Sequence, residues 1–568
     1  MNLADKAGRR TKLMRLKRQI SSALLALLLG ASSAATSFGA EPGTTTDAVS
    51  AHPSLLHPII QEVSEDNVSD SGENEVLPGP SQVVYPQISL TEEEKAQYPK
   101  LSQTLDAYNA GKKSWYESQL TELAKTAQEM SENSDAGTAI YLMQKADVQI
   151  GRADSSIFSV IEHFSSYSGG AHGYYEDAGN TFDSQSGKKL SFADVVKDCD
   201  TAAAHVFEKL SLQYPDLQPL VSQADVAEDM KGTNTQGTGK VSDAGEMFTE
   251  NSDQAETYFR WYVTDLGVMI VFPPYTLGSY AEGQQKIFLS FAEYPEIFNP
   301  AYTQVPDSFI IPFDPDAWEK MDVDGDGSLD QIKVSAAITE DGTYNGRTIE
   351  VDENKLEVSD LHFLSSDYYL VKAEDRVMLY CFDVMENGWV QLNVHLLSNG
   401  KPDEAPYSTD LDTDAVGSDA GNLKIRELQQ GNVEVKYPLT DPDAMQLSSR
   451  MDVLSTYDAY RSYSASKGEN GYPVPLDMTY TADVDIHLTL KKDAVFTAST
   501  EDGSGSTDKN FAAGTSFSIY RTDGLRYVDL KSDADGTIVS LSGDFSQAPS
   551  TVMGMMADEL FDGMMYAG

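Results

Sequence analysis

The sequence contains very little cysteine: Cys199 and Cys381 are its only two in 568 residues. The chain is long enough for two or three domains. The two thiols fall in segments that the sequence assigns to different domains. Two cysteines exclude a disulfide framework and a thiolate metal cage. We therefore predict two buried free cysteines.

Histidine and catalytic signatures are also scarce. None of the eight histidines has a partner at the i, i+4 spacing of a helical metal site. No G-x-S-x-G nucleophile elbow occurs, since "DGSGS" at 502–506 is one residue out of pattern and lies in a predicted turn. These absences argue against the common zinc-dependent and serine hydrolase sites.

Basic residues are few, 41 against 89 acidic ones, which gives a formal charge of −48. Seven of the cations and one acidic residue precede residue 40, so the remainder holds 34 basic and 88 acidic residues, a charge of −54. Such a field repels nucleic acid and favours cationic partners and divalent metals. A solvated acidic surface without a partner is the alternative.

Long apolar runs are confined to the N-terminus. A basic stretch is followed by the uncharged residues 19–40, which contain "ALLALLLG". This pattern predicts a secretory signal peptide over residues 1–40, cleaved between Ala34 and Ala40. An uncleaved anchor is the alternative. We expect no later membrane span, and a secreted or envelope-associated bacterial protein.

Composition divides the remainder into three segments. Residues 41–84 are acidic and interrupted by Pro and Gly, which predicts a disordered linker. Residues 85–302 alternate helical and strand patterns, with a capping box at Thr91 and Glu94, and predict an α+β domain of helices packed on an antiparallel sheet. Residues 303–568 predict a mostly-β domain, sandwich or propeller-like, ending in a Met-rich helix.

The stretch "YSGGAHGYY", Tyr167 to Tyr175, combines three glycines and a histidine with flanking aromatics. Glycine permits positive φ and close backbone approach, so the loop can turn sharply and present N–H groups outward. His172 could titrate, bind a metal or bond a carbonyl. The residues alone favour a structural turn.

The segment "YSGGAHGYYEDAGNTFDSQSGKKLSFADVV" and the later "FRWYVTDLGVMIVFPPYTLGSYAEGQQKIFLSFAEY" together resemble the extracytoplasmic domain shared by the lysozyme-sensing anti-sigma factor RsiV and the deacetylase PdaC. The resemblance covers about residues 85–302. It implies a surface that binds a protein or envelope material, here a cationic lysozyme-like protein or a cell-wall polymer. The matched loops supply the implied ligand contacts, namely Ser168, Gly169, Gly170, Ala171, His172, Gly173, Tyr174, Pro273, Pro274, Tyr275 and Tyr280.

The chain departs from both relatives. Only eighteen residues precede the uncharged run, too few for a sigma-binding domain, and the histidine and aspartate set of a deacetylase is missing. The leading hypothesis is therefore a non-enzymatic binding protein. The runner-up is a peptidoglycan-modifying hydrolase, or its accessory domain, using His172, Glu162 and Asp177 for acid–base work. A structural adhesion protein is the third hypothesis.

"DVDGDGSLD" at 322–330 is a candidate metal loop. Carboxylates at its first, third, fifth and ninth positions and glycine at the sixth suit a hard cation. An EF-hand would need Glu at the twelfth position, where Lys333 stands. The loop resembles the calcium loops of integrin-type β repeats and predicts a structural Ca²⁺. The expected ligands are Asp322, Asp324, Asp326, Asp330 and the backbone carbonyl of Ser328.

Overall fold

The computed structural model describes most of the chain after residue 51. The described residues are 52–67, 81–132, 141–232, 257–315, 317–339, 344–403, 428, 432–468, 471–499, 506–545 and 550–567. The predicted signal peptide lies outside these ranges. Within them, every helix is too short or too polar to cross a membrane.

The first part of the chain contains two sheets and several helices. The strands are β1 (Ile59–Asp66), β2 (Ser81–Ser89), β3 (Leu142–Ala153), β4 (Ile157–Tyr167), β5 (Tyr174–Asp183), β6 (Arg260–Val263), β7 (Gly267–Phe272) and β8 (Gln285–Ser290). The helices are α1 (Glu92–Gln97), α2 (Pro99–Glu132), α3 (Phe192–Val195), α4 (Cys199–Gln213) and α5 (Gln223–Met230), and a 3₁₀ turn spans Tyr280–Glu282.

Local sequence signals place several of these helices. Thr91 and Glu94 form the expected capping box at the start of α1, and Ser191 and Asp194 form another at α3. Strands β1 to β5 pair in sequence order, antiparallel except for β2 and β3. Helix α2 contributes Trp115 to the core under one face of this sheet. Strands β6 to β8 form a separate antiparallel sheet.

The predicted disordered linker is partly wrong. Residues 59–66 form β1, which pairs with β2 along its whole length. Ile60 and Val63 of β1 pack against two core clusters of the first part, while Glu62 and Asp66 are exposed. This is the composition of an edge strand, which keeps charge on its open side. Residues 68–80 lie outside the described ranges.

The second part of the chain is almost entirely β. Its strands before residue 440 are β9 (Phe309–Pro312), β10 (Glu319–Met321), β11 (Asp330–Ile338), β12 (Tyr344–Val351), β13 (Asn354–Phe363), β14 (Ser365–Ala373), β15 (Arg376–Val384), β16 (Val390–Leu396) and β17 (Val433–Val435). The sheet β16-β15-β14-β9 is a central layer, because alternate residues of β15 enter different cores. One face packs on β10 to β13 and the other on β17 and the strands that follow it. Face-to-face layers are the sandwich arrangement rather than the propeller one.

The last part of the chain forms one large sheet that also includes β17. Its strands are β18 (Met445–Asp452), β19 (Thr456–Ser464), β20 (Val474–Pro475), β21 (Tyr480–Ala482), β22 (His487–Leu490), β23 (Ala494–Ser499), β24 (Ser506–Phe511), β25 (Ser516–Thr522), β26 (Tyr527–Ser532), β27 (Ile538–Asp544), β28 (Thr551–Val552), β29 (Met555–Met556) and β30 (Phe561–Asp562). The expected Met-rich terminal helix is wrong, since only α6 (Ala557–Leu560) is helical there. Phe561 turns into the core instead and its strand pairs with β22.

The structure confirms the fold class, an α+β part followed by a mostly-β part. Cys199 and Cys381 are both free and buried, as predicted.

Candidate functional site

The candidate site is formed by two loops of the first part. Residues 168–173 connect β4 to β5, and residues 273–279 follow β7 and lead into the 3₁₀ turn before β8. The two loops belong to different sheets and are separated by about a hundred residues of chain. Their contact is therefore decided by how the sheets pack together.

Two glycines of the first loop are required by geometry. Gly169 has φ of 86°, in the left-handed region that side chains other than glycine rarely adopt. At Gly173 an added Cβ would lie 2.8 Å from the carbonyl oxygen of Ser166. Gly170 has no such constraint, because a Cβ added there would lie 3.8 Å from the nearest atom. The tight turn expected from the sequence is present.

Aromatic rings lock the two loops together. The imidazole of His172 stacks on the Tyr280 ring with centroids 3.8 Å apart. The Tyr280 hydroxyl donates to the carbonyl oxygen of Gly173 at 2.6 Å. The Tyr275 hydroxyl lies 3.4 Å from Nε2 of His172, and Tyr175 meets Tyr280 edge-on at 6.1 Å. We call His172, Tyr175, Tyr275 and Tyr280 the aromatic rim.

The rim presents aromatic surface to solvent. Tyr175 and Tyr275 are 39% and 44% exposed, and Tyr167, on the same sheet face as Tyr175, is 38% exposed. Tyr275 has φ of 71°, an uncommon backbone conformation for a bulky residue that is typical of functional loops. Exposed tyrosines held rigidly by neighbours are characteristic of protein-binding surfaces.

Three of the implied ligand contacts need correction. Tyr174 is buried, and its hydroxyl donates to the buried Glu176 at 3.0 Å. Pro273 and Pro274 are buried as well. Residues 168, 170, 171 and 172 are exposed, whereas Gly169 and Gly173 are half-buried. Tyr175 was missed because the sequence "GYY" does not show which tyrosine points outward in the strand.

The acid–base set proposed for a hydrolase does not assemble. Glu162 and His163 are neighbours in β4, so their side chains point to opposite faces of the sheet. Glu162 is fully buried beneath helix α2, where it accepts bonds from Lys112 at 2.5 Å and from Asn180 at 2.7 Å. Asp177 pairs with His163 on the other face, and His172 lies in the rim. These groups cannot act on one substrate together.

The metal loop connects β10 to β11. The carboxylates of Asp322, Asp324 and Asp330 each offer an oxygen within 4.8 Å of the others. Positive φ at two glycines of the loop lets the chain turn around that point. Asp326 is not a member of this group, and its carboxylate accepts the N–H of Ser328 at 2.7 Å. Three of the four expected carboxylates therefore converge, which fits a small hard cation.

Part of the chain is similar to a known protein family. Residues 206–292 match a family model described as "Protein of unknown function (DUF3298)". Residues 206–292 are therefore similar to this family. The matched residues include Tyr275 and Tyr280 of the rim, whereas the glycine loop precedes them. The match indicates no catalytic family.

Two solved structures of DUF3298 proteins are similar to the chain. One, from Bacteroides fragilis NCTC 9343, is 15% identical, with a TM-score of 0.31, and the match covers 44% of this chain and 96% of that one. The other, from Pseudomonas aeruginosa PAO1, is 13% identical, with a TM-score of 0.25, and the match covers 44% and 97%. No curated protein matches the chain.

Proposed function

We propose that this is an exported, non-enzymatic binding protein whose aromatic rim recognises a cationic extracellular protein of the lysozyme class. The main support is that the two loops matched to the RsiV/PdaC domain, at 168–173 and 273–279, meet on one exposed surface. A rigid tyrosine surface loses little conformational entropy on binding, which favours affinity.

Charge supports the choice of a cationic partner over a neutral wall polymer. The segment after residue 40 carries a formal charge of −54. A negative field accelerates encounter with a basic protein and weakens as salt rises. Tyrosine faces also attract the lysine and arginine side chains of such a partner.

The test measures binding of lysozyme to the mature chain at low and physiological salt. Tyr275→Ala should weaken binding by about thirtyfold, the effect of losing a central aromatic contact. Tyr566→Ala is the matched control, because Tyr566 is similarly exposed, at 42%, but lies at the C-terminus. Equal affinities of both variants would refute the rim. If the chain binds isolated wall polymer but not lysozyme, the partner is a wall polymer instead of a cationic protein. If the mature chain releases fragments from wall material, the non-enzymatic assignment is wrong.

We also propose that Ca²⁺ binds at Asp322, Asp324 and Asp330 and stabilises the β10–β11 connection. The spacing of the carboxylates and their convergence support this assignment. Calcium at about a hundredfold above its Kd should add about 2.7 kcal/mol to the stability of the β-rich part. Melting curves with Ca²⁺ and with a chelator measure the effect, which Asp322→Asn should remove. An unchanged melting temperature would contradict the site.

A further inference from the structure

The strands that support the rim are cross-linked at their base. Asp177 lies in β5, four residues after Gly173, and Lys286 lies in β8, six residues after Tyr280. The Lys286 ammonium contacts Asp177 Oδ2 at 2.7 Å, and the Gln284 side chain accepts the backbone N–H of Asp177 at 2.7 Å. Each rim loop is therefore fixed to the other at two points close to where it enters its sheet.

A third contact reaches this cross-link from the β-rich part. The Lys286 ammonium also pairs with Asp314, which follows β9. Below the ion pairs, Ala317 of the same segment packs with Ile161, Tyr262 and Met269 of the first part. The side chains of Lys286, Asp177 and Asp314 are only 11–16% exposed, so their charges are largely shielded from solvent.

The chain of charges ends at His163. Its Nδ1 lies 2.7 Å from Asp177 Oδ1 and its Nε2 lies 3.0 Å from the side-chain oxygen of Gln149. Burial opposes the charge, yet the hydrogen bond and charge of Asp177 raise the pKa of His163. Both ring nitrogens face side-chain oxygens, so His163 has no free nitrogen for catalysis.

We propose that Asp314 of the β-rich part positions the aromatic rim through the buried ion-pair chain Asp314–Lys286–Asp177–His163. Lys286 joins the base of both rim loops to a carboxylate outside them. Neutralising Asp314 leaves the buried ammonium with one partner, so Lys286 turns toward Asp177 or toward solvent and the cross-link between β5 and β8 changes. The consequence for affinity rests on the proposed function, whereas the consequence for rim geometry does not.

The same junction provides a matched control. Lys320 of β10 pairs with Glu293 of the first part at 2.6 Å, and Glu293 also holds Lys209 at 2.9 Å. This ion pair likewise joins the two parts of the chain and is largely shielded from solvent. It lies beyond the C-terminal end of β8 and does not touch the base of either rim loop.

The experiment compares Asp314→Asn with Lys320→Gln in the full chain. The first readout is the NMR chemical shift of the His172 ring, whose signal is assigned by its loss in His172→Gln. This shift reports on the rim because the Tyr280 ring, stacked 3.8 Å away, changes it through its ring current. Asp314→Asn should move it toward the position of an unstacked histidine, Asp314→Glu should restore it, and Lys320→Gln should leave it in place.

The second readout is affinity for lysozyme as the probe. Asp314→Asn should weaken binding by at least about tenfold and Lys320→Gln should not. If the His172 signal moves equally in both variants, or in neither, the positioning role is wrong. If the signal moves in Asp314→Asn alone while the unmodified protein fails to bind lysozyme, the positioning role stands and the proposed partner is wrong.

Discussion

His57 provides a quantitative test of how the two parts of the chain are joined. Its Nδ1 lies 3.0 Å from Glu94 at the start of α1, and its Nε2 lies 3.1 Å from Asp441 of the β-rich part. The hydrogen bonds of Asp441 and then Glu94 raise the pKa of His57 from 6.5 to about 9. At neutral pH the charged ring therefore bridges two carboxylates from different parts of the molecule.

The magnitude follows from this pKa. A rise from 6.5 to about 9 corresponds to about 3 kcal/mol of preference for the protonated ring in the folded state. Because 45% of the His57 side chain is exposed, solvent screening reduces the contribution to about 1 kcal/mol. The pKa is raised by folding, so this stability is complete below pH 6.5 and is lost as pH rises through about 9.

The perturbation is His57→Gln, which keeps a polar side chain without the charge. Denaturant midpoints from about pH 6 to pH 10 should show the variant less stable by about 1 kcal/mol at the acidic end and converging on the natural protein at the alkaline end. His52→Gln is the control, since the pair of His52 with Asp307 is 3.6 Å long and exposed. A constant difference across this pH range would refute the reasoning.

Two further predictions concern the rim loop and a buried acid. Gly169→Ala should lower the free energy of unfolding by about 1–2 kcal/mol because alanine at φ of 86° is strained. Gly170→Ala should be tolerated, since a Cβ there has space. Thermal melting compares the two variants, and equal losses of stability would contradict the backbone argument. Burial raises the pKa of Glu319 from 4.5 to about 8, so native stability falls as pH rises through that range. Glu319→Gln should therefore raise the melting temperature at pH 9 and not at pH 5, and an equal effect at both would show that ionisation is not the cause.

Elements governed by neighbouring residues were predictable. The capping boxes at Thr91 and Ser191 mark helix starts because a side chain three residues away completes them. The alternation of helical and strand patterns over residues 85–302 likewise predicted the α+β part. The carboxylate spacing of the loop at 322–330 identified three groups that do converge.

Errors occurred where distant contacts decide the structure. Residues 59–66 have the composition of a linker, and they are ordered because β2 offers them a hydrogen-bonding edge. The terminal methionines favoured a helix, but the chain there pairs with β27 and β22. In both segments the local preference is weak, and pairing with another strand overrides it.

The rim shows the same division within one site. Sequence placed both loops in the candidate surface and predicted a tight glycine turn. It could not place Lys286, whose contact with Asp177 joins strands far apart in the chain, or His163, whose partners lie on neighbouring strands, nor choose between Tyr174 and Tyr175.

The sequence by itself determined the acidic character, the free cysteines, the glycine turn, the carboxylate loop and the change from α+β to β along the chain. These depend on composition or on residues within one turn of each other. Only the tertiary structure decided that His172 stacks on Tyr280, that Lys286 joins three segments and that His57 bridges two carboxylates. Such contacts join residues from 28 to 384 positions apart, and the packing of sheets and segments, which no local pattern encodes, brings them together.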